Sequence, residues 1–149
     1  MSKAESGAGK AYFGRRYMLS ASHRLHAGSL SADENKAAYG KCNNPHGHGH
    51  NYVVEVLVGG RVQPETGMVI NLVDLDQIVN AKLLSRFDHC NLNLDPAFAN
   101  AVPTTENLCK LFFGLLNDAL PAIKLECLRV EETENNFFEC YSPADSLSR

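Results

Sequence analysis

Apolar and polar positions alternate along residues 11–25, which predicts a first strand with Phe13, Arg15, Tyr17, Leu19, Ala21 and His23 on one face. A short helix follows, because Ser31 and Glu34 have capping-box spacing and Gly40 supplies a stop. The β-branched run Tyr52-Val53-Val54-Glu55-Val56-Leu57-Val58 lies within a second strand, expected from about His50 to Val62. Pro64-Glu65-Thr66-Gly67 is a turn, and Met68-Val69-Ile70 is a short extended piece. Asn71 then caps a helix with apolar positions Leu72, Leu75, Ile78, Val79 and Leu83, which gives way to a loop from Phe87 to Asn93. The best-defined element comes after Pro103. Thr104 is its cap, and Leu108, Leu111, Phe112, Leu115, Leu116 and Ala119 form one stripe that ends at Pro121. Leu125 to Thr133 and Phe137 to Tyr141 read as a hairpin joined by Glu134-Asn135-Asn136.

The long elements therefore run strand, strand, helix, helix, strand, strand. The economical solution is α+β: a four-stranded antiparallel sheet with both helices on one face. Such a sheet keeps two open edges and one bare face, so association of subunits is expected.

Composition narrows the class. A chain of 149 residues reads as a single domain over 11–141, with a flexible lead-in at 1–10 that is not a secretory signal and a loose tail at 142–149. A net charge of −3 argues against a nucleic-acid-coating surface, and no apolar run reaches the length of a membrane span. Five scattered cysteines, an odd number without a Cys-x-x-Cys pair, argue for a reducing cytoplasm. Cys109, Cys127 and Cys140 sit in apolar runs and read as small buried hydrophobes. Cys42 differs, since histidines follow it closely.

The chemistry concentrates at residues 42–51, Cys-Asn-Asn-Pro-His-Gly-His-Gly-His-Asn. Side chains two apart on a strand share a face, so His48 and His50 are spaced to hold one metal ion. His46 and His48 form a rival pair, but Pro45 marks His46 as loop. The third ligand comes from His23, His26, His46 or His89, and His23 is best placed if the first two strands pair antiparallel. Cys42 is either a fourth ligand in a closed site or a free thiol acting as base. Asp88-His89 sets a carboxylate beside an imidazole, so Cys42, His89 and Asp88 can form a base, its partner and an orienting acid. Glu132 shares the parity of Leu128 and Val130, and a carboxylate there suits a flat N–H fork on a ring edge. Thr104, Thr105 and Glu106 open a helix whose backbone N–H groups can also hold a ligand.

With these residues assembled, the chain resembles the 6-pyruvoyl-tetrahydropterin synthase family. The likeness runs from about Arg16 to Tyr141, through Ser-Ala-Ser-His-Arg-Leu (20–25), Gly-Lys-Cys-Asn-Asn-Pro with Gly-His-Gly-His-Asn-Tyr (40–52), Thr-Gly-Met-Val (66–69), Asp-His with Asn-Leu (88–92), Thr-Thr-Glu-Asn (104–107) and Glu-Thr-Glu-Asn-Asn (132–136). The resemblance implies Zn2+ on His23, His48 and His50, with Cys42 as proton acceptor joined by Asp88 and His89. It also implies a pterin pocket that includes Glu132, Thr104, Thr105 and Glu106. The implied fold is the tunnelling fold, in which subunits close into a barrel as trimers and two trimers stack into a homohexamer with sites between subunits. The implied reaction is conversion of 7,8-dihydroneopterin triphosphate to 6-pyruvoyl-tetrahydropterin with loss of triphosphate, in tetrahydrobiopterin biosynthesis. Arg15, Arg16, Arg24 and Lys41 are candidates to hold the triphosphate. His46 departs from the expected small polar residue and creates a Cys-x-x-x-His-Gly-His spacing like that of 6-carboxy-tetrahydropterin synthase of the queuosine pathway. That enzyme, a dual activity, a silent binding module and a closed structural zinc site are the alternatives.

Overall fold

The structure, a computed structural model, describes residues 9–120 and 123–143. Most of the expected lead-in and tail, and the helix stop at Pro121, lie outside the described residues. Two long strands dominate, β1 (Lys10–His23) and β2 (His48–Arg61). They pair antiparallel over their whole length, from Lys10 opposite Arg61 to His23 opposite His48. β4 (Lys124–Glu131) adds to β2, and β5 (Phe137–Tyr141) adds to β4, both antiparallel.

The sheet has five strands rather than the expected four. Cys90 and Asn91 form β3, which pairs parallel with Ala21 and Ser22 of β1, giving the order β3-β1-β2-β4-β5. Two residues within a polar loop carry no alternation to read, so the pattern gave no sign of this edge. The expected extended piece at 68–70 is not a strand in the structure.

Helices cover one face. Asn71 caps α2 (Leu72–Val79) through its side chain, as its position suggested. The helix continues as a π turn (Asn80–Leu84) and a last α turn, α3 (Ser85–Phe87), so it extends past the expected end. Leu75, Val79, Leu83 and Phe87 are fully buried along it. Thr104 caps α4 (Thr105–Ala119), which buries Leu108, Cys109, Phe112 and Leu116. These side chains meet Leu19, Ala21, Tyr52, Val54, Val56, Val58, Leu125, Leu128 and Val130 in one core. Each large apolar side chain so buried contributes about 1.5–3 kcal/mol. Phe87 stacks at a tilt against Phe112, with ring centroids 5.0 Å apart, and joins the two helical segments.

The connection from β1 to β2 matters more for function. It carries α1 (Ala32–Tyr39), which has the full capping box of Ser31 and Glu34 and ends at Gly40 with φ +54°. Asn35 is completely buried, accepting from Ala27 N–H and donating to the carbonyls of Ala27, Leu30 and Ser31. One side chain thus holds the whole loop shut. A tight 3-10 turn, Gly40–Asn43, follows α1.

Candidate metal centre and pterin pocket

Strand register builds the centre. His23 ends β1, and His48 begins β2 directly opposite it. Because β1 and β2 present Leu19, Ala21, Tyr52 and Val54 to the core, His23, His48 and His50 face the same way at the sheet's end. Their ring nitrogens lie within 4.8 Å of one another. His23 Nε2 is 3.2 Å from His48 Nε2, close to the separation of about 3.3 Å that two nitrogens take on one tetrahedral zinc.

The protonation pattern fits a metal. His23 Nδ1 lies 2.9 Å from the Pro103 carbonyl, which can only accept, so the proton sits on Nδ1 and the Nε2 lone pair is free. Burial holds the pKa of His23 below the ordinary histidine value, against the pull of Pro103, and favours the neutral ring. Burial lowers His50 in the same way. His50 Nε2 is buried without a hydrogen bond, although Glu132 Oε1 lies 3.4 Å away. A buried nitrogen without a hydrogen bond, aimed into a cluster of imidazoles, has its lone pair available to a metal ion.

Glu132 follows the last residue of β4 and turns back over this cluster. Its Oε2 accepts from Asn136 Nδ2 at 2.8 Å, while Oε1 stands 3.6 Å from His23 Nε2. The hairpin loop thereby holds one carboxylate oxygen and leaves the other facing the site. Tyr52 and Thr105 complete the wall, 0% and 2% exposed. Pattern reading passed over Tyr52 as a strand residue and had no means of finding the Pro103 carbonyl.

Cys42 lies in the 3-10 turn, half-buried, and its carbonyl accepts from Leu25 N–H at 2.8 Å. Burial, and then the nearby Glu132 charge, push its thiol above the ordinary cysteine value. His26 and His46, the other ligand candidates on this side, are both exposed and stand outside the cluster.

Asp88 and His89 lie elsewhere. Asp88 Oδ1 accepts from Ser20 N–H at 2.8 Å, and His89 N–H donates to the Ser20 carbonyl at 2.6 Å, so the pair is fastened along the outer edge of β1. His89 has φ +58°, uncommon for a residue with a side chain. Its ring is 83% exposed and 3.7 Å from Asp88. His89 lines a polar cavity of about 400 Å³ together with Ser20, Ser22, Asn51 and His50. Among the described residues, no hydrogen bond or ion pair joins either member to Cys42.

Comparison with known proteins identifies the family. The family model described as 6-pyruvoyl tetrahydropterin synthase matches residues 13–143. The 6-pyruvoyl tetrahydrobiopterin synthase of Poecilia reticulata is 49% identical over 126 residues, covering 84% of this chain and 86% of that protein. A putative 6-carboxy-5,6,7,8-tetrahydropterin synthase of Archaeoglobus fulgidus is 37% identical over 111 residues, 74% of this chain and 88% of that one. The solved structure of the Caenorhabditis elegans 6-pyruvoyl tetrahydropterin synthase superposes with a TM-score of 0.82 at 38% identity, covering 89% of this chain and 96% of that chain. On sequence, fold and site together, the chain belongs to the 6-pyruvoyl tetrahydropterin synthase family.

Proposed function

We propose that the protein is a lyase that converts 7,8-dihydroneopterin triphosphate to 6-pyruvoyl-tetrahydropterin and releases triphosphate. The observation that carries this reading is the convergence of His23, His48 and His50 beside the Glu132 carboxylate. His23, His48 and His50 would hold zinc, and their count leaves one coordination place open to substrate. A zinc ion bound there supplies Lewis-acid chemistry toward the side-chain hydroxyls.

The protein's own residues do the rest. Glu132, steadied by Asn136, accepts two N–H groups from the pterin ring edge. Thr104, Thr105 and Glu106, at the start of α4 just after the Pro103 carbonyl that holds His23, would border the same pocket. Cys42 takes protons from the side-chain carbons, Asp88 and His89 relay them, and elimination of triphosphate drives the sequence forward. The fastening of Asp88 and His89 to Ser20, with no hydrogen bond or ion pair to Cys42 among the described residues, supports an intersubunit site. A cationic metal and an imidazole from a neighbouring copy are what would draw the thiolate out. The bare face and edges of the sheet support closure into a barrel, with trimers pairing into a homohexamer. Residues 11–141 form the synthase domain in this reading. The five free cysteines support a cytoplasmic setting, and no helix among the described residues is long and apolar enough to cross a membrane.

Mass identification of the pterin formed from 7,8-dihydroneopterin triphosphate tests the proposal. A pyruvoyl product is expected. The carboxy product would move the protein to the second reading, which the His46 spacing and the Archaeoglobus fulgidus relative keep in play.

A further inference from the structure

The substrate proposed above carries a polyanionic tail, and the structure narrows where that tail can go. Of the four basic residues next to the metal motifs in sequence, two are already engaged. Arg15 Nε lies 2.7 Å from Asp76 Oδ1, and a second guanidinium nitrogen donates to Oδ2 at 3.2 Å. Arg16 pairs with Glu55 at 2.9 Å. Elsewhere Arg86 is held by Asp95, Arg129 by Glu131 and Glu139, and Lys10 by Glu126. Among the described residues Arg61 has no such partner, but it closes β2 at the end opposite His48. Lys36 and Lys41 have no carboxylate partner among the described residues.

Both line one cavity of about 470 Å³, together with Gly40, Asn43, Asn44 and Pro45. No acidic side chain is part of that wall. The wall is built rather than loose. Asn43, 8% exposed, donates to the Leu25 carbonyl at 2.8 Å and meets His26 Nδ1 at 3.1 Å. Arg24 Nε donates to the Asn43 carbonyl at 3.4 Å and adds a further hold on that residue. Two of the lining residues, Lys41 and Asn43, flank Cys42 in the same turn. The carbonyls at the end of α1 oppose an anion, but Gly40 N–H satisfies that of Lys36, and two ammonium groups outweigh the remainder.

We infer that this cavity seats the triphosphate of the substrate, with Lys36 and Lys41 as its counter-charges. The assignment rests on the proposed reaction and gives the two lysines a part in it. When the proton on the carbon next to the triphosphate-bearing carbon is removed, the C–H pair becomes a C=C bond. The bond from the neighbouring carbon to the triphosphate oxygen breaks in the same step, triphosphate leaves with the electron pair of that C–O bond and so gains one negative charge, and the proton goes to the Cys42 thiolate. Lysines at the oxygen that gains the charge favour departure as well as binding.

The test is calorimetric titration of the metal-loaded protein with inorganic tripolyphosphate, for the parent, Lys36→Ala, Lys41→Ala and the double variant. Lys82→Ala, an exposed lysine on the far helix, serves as the charge control. Each cavity variant should weaken tripolyphosphate binding by about tenfold and the double variant by more, while Lys82→Ala and the affinity for dephosphorylated dihydroneopterin stay at parent values. With the full substrate, KM should rise more than kcat falls. Equal binding by parent and variants, no binding by the parent, or an equal loss in Lys82→Ala would overturn the assignment. If the lysines govern tripolyphosphate binding but the parent turns over no substrate, the polyanion seat stands and the proposed reaction falls.

Discussion

A β-carbon placed on Gly47 would lie 2.6 Å from the His23 carbonyl oxygen, inside any real contact. Gly47 also takes φ +70°, where a side chain is strained. The glycine ahead of β2 is therefore the spacer that lets His48 come level with His23. Gly47→Ala should cost about 1–3 kcal/mol and lower the thermal midpoint by several degrees. It should also weaken metal retention, read by elemental analysis after dialysis. A variant with full metal content would show that the approach does not set the ligand geometry.

Metal binding should depend on all three imidazoles. Replacing His23, His48 or His50 with Ala should reduce bound metal to trace levels, with zinc the ion found in the parent protein. Chelation should abolish turnover, and zinc should restore it. If His26→Ala or His46→Ala removes the ion instead, the ligand set is wrong, because both are exposed and outside the cluster.

Cys42→Ala should lower kcat by about 10²–10⁴-fold, the range expected for loss of a general base. Metal content should not change. Loss of metal along with activity would instead identify Cys42 as a ligand in a closed structural site.

Because Asp88 and His89 are bound to Ser20, on the side of β1 away from the metal cluster, they should serve the Cys42 of another copy. Cys42→Ala and His89→Ala should each be nearly inactive alone. Refolded or co-expressed together, they should recover activity, since some sites then combine an intact cysteine with an intact pair. No recovery in mixed assemblies would place the relay within one subunit.

The Arg86–Asp95 pair gives a pH-dependent stability term remote from the metal. The Arg86 guanidinium grips both Asp95 oxygens, at 2.7 and 2.9 Å, and with the Ala97 N–H bond it lowers the Asp95 pKa against a burial effect that raises it. A carboxyl whose folded pKa is depressed stabilises the fold above its unfolded pKa of about 3.9 and loses that contribution as pH falls through the folded value. Arg86→Ala should therefore cost about 1 kcal/mol near neutrality, a modest figure because the pair is partly solvated. The deficit in thermal midpoint should shrink below about pH 4. A deficit constant with pH would trace the loss to packing of Arg86 over the Phe87 ring.

Much of this molecule can be read from its residues because its long elements are amphipathic. β1, β2 and α4 follow single periods, and the caps Ser31, Asn71 and Thr104 stand where their types suggest. The pairing of His23 with His48 follows from antiparallel strands of equal length. What escaped has no local signature. The buried Asn43 acts through a bond to backbone 18 positions away, and the Pro103 carbonyl through a contact spanning 80 positions. The two-residue β3 is too short for alternation to register. Nor could residue types alone tell that Asp88-His89 and Cys42 lie apart in one subunit, since both motifs sit in loops.

The π turn at Asn80–Leu84 bears on all of this. Leu75, Val79, Leu83 and Phe87 recur every fourth residue, a beat slower than the 3.6 of an ordinary helix, and the wider turn lets all four stay in the core. Excising one residue there would rotate everything downstream by roughly 100° about the helix axis. The core could recover by shifting register, but the carboxylate that ends the segment would swing off the Ser20 amide. One surplus residue in a helix thus works as an angular setting, fixing the bearing on which Asp88 and His89 leave the helix for the edge of β1.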